Sequence, residues 1–159
     1  MKTFIFLSTA ILISPFSWSQ TIKESLQKKY DEIGTFGLNH DDWAIVKKDN
    51  RLGFIDNKGD EVVPTIYDEI ELFSMYNDDW ALVKKDNHLG FIDNKGDEVV
   101  PTIYDEIELF DMYHKDWALV KKDNRLGFID NKGDEVVPLK FKQLEDLKKW
   151  LDDETRQTD

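Results

Sequence analysis

LGFIDNKGDEVVP, residues 52–64, returns unchanged at 89–101 and at 126–138. The stretch is punctuated for strands: an apolar Gly-Phe-Ile run, a turn-forming Asp-Asn-Lys-Gly, and Val-Val closed by Pro. Around it, Trp43, Trp80 and Trp117 recur at a spacing of 37 residues, as do Gly53, Gly90 and Gly127. The chain from Tyr30 to Lys140 therefore divides into three units, 30–66, 67–103 and 104–140, and the last two differ at six positions. A fixed period of this length marks a repeat architecture.

One unit reads as a string of short antiparallel strands. Trp80-Ala81-Leu82-Val83 is apolar and β-favouring. Asp86-Asn87 supplies residues that tolerate the left-handed backbone of a type I′ hairpin. Leu89 to Asp93 returns as a second strand. Asp93-Asn94-Lys95-Gly96 forms the next turn, with Gly at its fourth place. Glu98 to Val100 is a third strand, expected to end at Pro101, which cannot donate to a ladder. Tyr104 to Phe110 is a fourth extended piece. No unit can bury its aromatic and branched residues alone, so the units are expected to stack.

The ends depart from the period. Leu144, Leu147 and Leu151 fall on one helical face beside Trp150, which predicts an amphipathic helix over about 143–154, laid on the last open sheet edge within a C-terminal segment 143–159. Residues 20–29 are expected to form an N-terminal cap. The predicted fold is an all-β protein of three stacked antiparallel units (30–142) in an open array with this helical cap. A closed threefold, the β-trefoil, is the alternative.

Residues 1–19 read as a secretory signal peptide: Lys2, then an apolar run from Phe4 to Ile13, a break at Pro15, and small residues at Ser17 and Ser19. The run is shorter than the roughly 20 residues of a spanning helix. The expectation is an exported protein, periplasmic or extracellular, with no membrane insertion after cleavage. The chain has no Cys, which excludes a disulfide framework and a lipidated cysteine. Its net charge of −12 argues against nucleic acid and anionic lipid as partners.

The units resemble WG repeats, also called KWG repeats, in W-A-L-V-K-K, G-F-I-D-N-K-G, E-V-V-P and Y-D-E-I, over about 30–144. The Trp-Gly pair that names the family stands here as Leu52-Gly53, Leu89-Gly90 and Leu126-Gly127. The resemblance implies a β-rich repeat array that mediates interactions, and it brings no catalytic residues.

The residues themselves point the same way. The acidic pairs, Asp60-Glu61 and Asp68-Glu69 and their copies, occur in triplicate with the same neighbours, whereas two catalytic carboxylates need unlike environments. The Asp-Asn-Lys-Gly-Asp-Glu loop lacks the ligand spacing of a Ca2+ loop and reads as a turn. His40, His88 and His114 trade places with Asn and Arg, as surface groups do. No metal, cofactor or enzymatic activity is therefore expected, and a hydrolase ranks last. A binding module for a protein or an envelope polymer ranks first, ahead of a purely structural domain. The repeat tryptophans read as core rather than as ligand platforms. The units differ most just before each Trp, in GLNHDD, SMYNDD and DMYHKD. There Met75 and Tyr76, with Met112 and Tyr113, are the candidate contact residues, since both types suit interfaces.

Overall fold

The computed structural model describes residues 19–157 apart from Asn39 and Asp78. The stretch 1–19 expected to be a signal peptide lies, except for Ser19, outside the described residues. Helix α1 (Gln20–Lys29) is followed by twelve strands: β1 (Glu32–Ile33), β2 (Trp43–Lys48), β3 (Arg51–Asp56), β4 (Glu61–Tyr67), β5 (Glu69–Ile70), β6 (Trp80–Lys85), β7 (His88–Asp93), β8 (Glu98–Tyr104), β9 (Glu106–Ile107), β10 (Trp117–Lys122), β11 (Arg125–Asp130) and β12 (Glu135–Phe141). Helix α2 (Leu144–Gln157) closes the order. The strands make three four-stranded antiparallel sheets, each from strands consecutive in sequence and each open at both edges. A trefoil, one closed barrel, is not formed. The chain divides into two compact units, the first ending at Ile70 and the second running from Glu71.

Each sheet is organised by the same two tight turns. Asp86 and Asn87 have φ of 49° and 70°, and the pairs at 49–50 and 123–124 do likewise. Two successive positive φ values are the type I′ signature, whose twist suits a two-residue hairpin. The register follows, from Lys85 opposite His88 to Trp80 opposite Asp93. At the second turn the Asp93 carboxylate accepts from the backbone amides of Lys95 and Asp97, both at 2.9 Å. Gly96 there takes a φ of 92°, which a side chain would strain.

The third strand corrects the sequence reading. Pro101 does not end it: β8 runs on to Tyr104. Leu89 pairs with Tyr104 and Phe91 with Val100, so two steps on β7 oppose four on β8. The excess is a bulge that holds Pro101, whose missing N–H is harmless on an edge strand. The bulge leans over Gly90, where an added Cβ would meet Val100 O at 2.5 Å. Gly53 and Gly127 sit under equivalent bulges, where an added Cβ would likewise meet a backbone oxygen at 2.5 Å.

The sheets are buried on both faces, which is why Trp-Ala-Leu-Val reads as a continuous apolar run rather than an alternation. In the second unit, Trp80, Phe91 and Val100 share a core with Ala118, Val120 and Ile129 of the last sheet. The opposite face of that sheet, Leu119, Phe128 and Val137, receives Leu147 and Leu151 of α2. The expected C-terminal cap is thus present, but it covers the last sheet's face, meeting β11 and β12, and not its edge. In the first unit, Leu26 of α1 and Tyr30 pack on Ala44, Val46 and Ile55. Ser19 caps α1 by accepting from the Ile22 amide.

A carboxylate heads each repeat. Asp31 and Asp105 accept from the hairpin amides of Asp49 and Asp123, at 2.8 and 2.9 Å. Asp68 pairs with Arg51 at 2.7 Å, and Asp105 lies 3.8 Å from His88. One period beyond Asp105 stands Lys142, a base where the earlier repeats have an acid.

Candidate functional site: the loops before the repeat tryptophans

The segments that differ most between units are built loops with one geometry. Gly37, Ser74 and Asp111 are equivalent residues, with φ of 75°, 67° and 66°. Their amides donate to the carbonyls of Trp43, Trp80 and Trp117. The Trp amides in turn donate to the carbonyls of His40, Asn77 and His114. The side chains vary because the backbone bonds carry the loop.

This geometry separates the candidate residues. Met75 and Met112, one place past the left-handed residue, are 56% and 58% exposed. Tyr76 and Tyr113 are half-buried, with ring edges on Phe91 and Phe128 at centroid distances of 5.4 and 6.1 Å. Burial pushes the Tyr76 phenol up, aided by the charge of Glu71. Burial does the same at Tyr113, where Glu108 also accepts a hydrogen bond. The tyrosines thus form the floor of each loop and the methionines its tip. Leu38, the equivalent of Met75 in the first unit, is 67% exposed, and the sequence reading passed over it. Its offset of 37 residues was the available signal. Leu72 and Leu109 add exposed apolar area at the two later loops.

The tryptophans behind the loops are core rather than platforms: Trp43 and Trp80 are buried and Trp117 is half-buried. The histidines at the loop ends are not plain surface groups. His40 and His114 lie over Trp43 and Trp117, with ring centroids 4.2 and 4.0 Å apart. Asn77 stands at this place in the middle repeat and donates to the Asn131 carbonyl of the next sheet at 3.3 Å.

The carboxylates elsewhere serve turns and ion pairs. Asp56, Asp93 and Asp130 each staple their own Asp-Asn-Lys-Gly turn. Among the described residues no group of three or more His, Asp or Glu side chains is placed to hold a metal, and no helix is long and apolar enough to cross a membrane. An open cleft of about 230 Å³ lies between β9, β10 and the start of α2. Its charged lining includes Glu106 and Lys121, which close on each other at 2.7 Å.

A family model for the WG containing repeat matches four segments, 23–51, 53–87, 90–125 and 127–149. The chain belongs to the WG-repeat family. No curated protein and no solved structure matches it. In this family member the Gly of the Trp-Gly pair keeps a physical role, as the floor under the Pro bulge. The Trp of the pair is replaced by Leu52, which is buried, and by Leu89 and Leu126, which are half-buried. The family matches run in a different phase from the units 30–66, 67–103 and 104–140. The two middle ones start at the returning strand of one unit and end in or just past the first hairpin of the next.

Proposed function

We propose that this WG-repeat protein is an exported, non-enzymatic module that binds a protein or an envelope polymer through the loops ahead of its repeat tryptophans. One observation carries the reading: Met75 and Met112 are exposed at equivalent places on loops whose backbones are fixed. Exposed Met costs an isolated domain solubility and adds nothing to its core, whereas its flexible thioether adapts to a contact surface. Two copies also give the surface two points of attachment, which raises avidity without a new kind of contact. Tyr76 and Tyr113 support the tips from beneath and offer their ring margins to the partner.

The test is capture from an envelope extract by the parent and by the double variant Met75→Ser, Met112→Ser. The variant is expected to keep its melting temperature and lose the captured species. Equal capture by both proteins would remove the loops from the function. No capture by either would favour a structural domain without a discrete ligand. Turnover of glycan or peptide substrates would return the hydrolase. Export is tested separately: the native protein's N-terminus is expected at Gln20 or Thr21, and an intact Met1 would refute it.

A further inference from the structure

We infer that α1 and α2 plug the two halves of one joint, and that a second copy of this chain can take their place. The last sheet of one copy then docks on the first sheet of the other. This contact lies apart from the loops proposed above as the binding surface.

The joint itself stands inside the chain, between the sheets of β5–β8 and β9–β12. Leu82, Phe91 and Val100 of the one share a core with Ala118, Val120 and Ile129 of the other. There β9 lies against β7 and β10 against β8. The last sheet repeats the first half of this pairing on its other face, as Leu119, Phe128 and Val137, and α2 covers it with Leu147 and Leu151. The first sheet, β1–β4, repeats the second half, as Ala44, Val46 and Ile55, and α1 covers it with Leu26. Both sets match their counterparts residue for residue, at one and two periods of 37. The chain thus carries a face and its complement, each closed by a helix, as the ends of a repeat array require.

The first helix stands in for a whole sheet. A Cβ added at Gly133 would meet the Val99 carbonyl oxygen and the Val100 side chain of β8. At Gly59, the equivalent residue of the first unit, it would meet Leu26 and Ile22 of α1, at 3.2 and 3.7 Å. Yet Leu26 is the one buried residue of this helix, and Ile22 is 37% exposed. A sheet offering Leu119, Phe128 and Val137 removes more apolar surface from water there than one leucine does. The contact is heterologous, so a pair needs one freed face of each kind. The net charge of −12 opposes the encounter of two copies, and salt relieves that repulsion.

The test uses full-length chains in sedimentation velocity. Leu26→Asp sets a carboxylate under α1 and Leu147→Asp sets one under α2, each freeing a face without changing a residue of the sheets. Each variant alone is expected to stay monomeric. Their mixture is expected to give a one-to-one pair of doubled mass, with more of it at higher salt. A chain with both changes should form rings or filaments as its concentration rises. Adding Ala44→Arg to the Leu26→Asp chain should abolish the pair, whereas adding Met75→Ser and Met112→Ser should leave it intact. A mixture that stays monomeric would overturn the inference, as would either variant pairing with itself as strongly as with the other. A pair that survives Ala44→Arg, or that is lost with the methionines, would place the contact elsewhere and overturn it too. Should circular dichroism show an aspartate variant unfolded, Leu26→Ala and Leu147→Ala take its place. Unfolding of these as well would make the helices parts of the fold rather than plugs, and the inference would fall.

Discussion

Gly90→Ala isolates the contact on which the third strand of each repeat depends. The added methyl would lie 2.5 Å from Val100 O, 2.8 Å from the Pro101 carbonyl carbon and 2.8 Å from the Thr102 amide nitrogen. All three are backbone atoms, so no side chain can swing away and the bulge itself must move. Overpacking of this kind costs about 1–3 kcal/mol. A second effect opposes it. Gly90 is not among the residues with positive φ, so Ala fits its backbone and stiffens the unfolded chain, a gain of about 0.4–1 kcal/mol. The clash wins, and the net loss is about 1–2 kcal/mol, worth roughly 3–6 °C in melting temperature for a domain of this size. Thermal unfolding followed by near-ultraviolet circular dichroism measures it, because Trp80 and Phe91 pack beside the bulge at 5.4 Å. A variant that melts at or above the parent would show that only the entropy gain operates and that the strand does not press on Gly90.

Leu147→Ala removes a fully buried side chain from the interface between α2 and the last sheet, and urea unfolding should report a loss of about 2–5 kcal/mol; an unchanged midpoint would make the helix a passenger. Tyr76→Ser with Tyr113→Ser should lower the melting temperature, because both rings rest on core phenylalanines, in contrast to the methionine pair; a melt equal to the parent's would place the tyrosines outside the core. Tyr104 is buried and its phenol is raised, by burial first and by Glu135 second. Its folded pKa exceeds its unfolded one, so its contribution to stability is whole below the ordinary tyrosine value of about 10 and is lost as pH rises beyond it. Absorbance at alkaline pH should therefore show tyrosinate appearing with unfolding; full ionisation of a still-folded protein would refute that.

The elements that rest on local chemistry were legible in the sequence. Asp86-Asn87 and Asp93 to Gly96 name their turns because only a few residue types accept positive φ there, and the 37-residue period names the repeat. The misses come from contacts distant in sequence. Pro101 reads as a terminator until the β8 bulge is seen, because the bulge depends on Gly90 across the ladder. Leu144, Leu147 and Leu151 reveal an amphipathic helix but not whether it covers an edge or a face, since both are apolar destinations. In the loops, sequence pairs Met75 with Tyr76, yet adjacent residues there face different surroundings, one solvent and the other Phe91. Leu38 was hidden by expecting one residue type rather than one position.

The carboxylates at the heads of the repeats bear on how long such a protein can be. Asp31, Asp68 and Asp105 act as a grammar: each unit opens with an acid that engages a hairpin, through the turn amide for Asp31 and Asp105 and through the basic residue Arg51 for Asp68. A further 37-residue unit inserted ahead of Phe141 would carry its own acid and obey the same rule. Beyond it the rule ends, since Lys142 stands where the acid of a next unit would, and α2 occupies the face a fourth sheet would need. Length is thus written in the terminator rather than in the units, and units that are nearly verbatim copies can be gained or lost between two fixed ends without relearning how to fold.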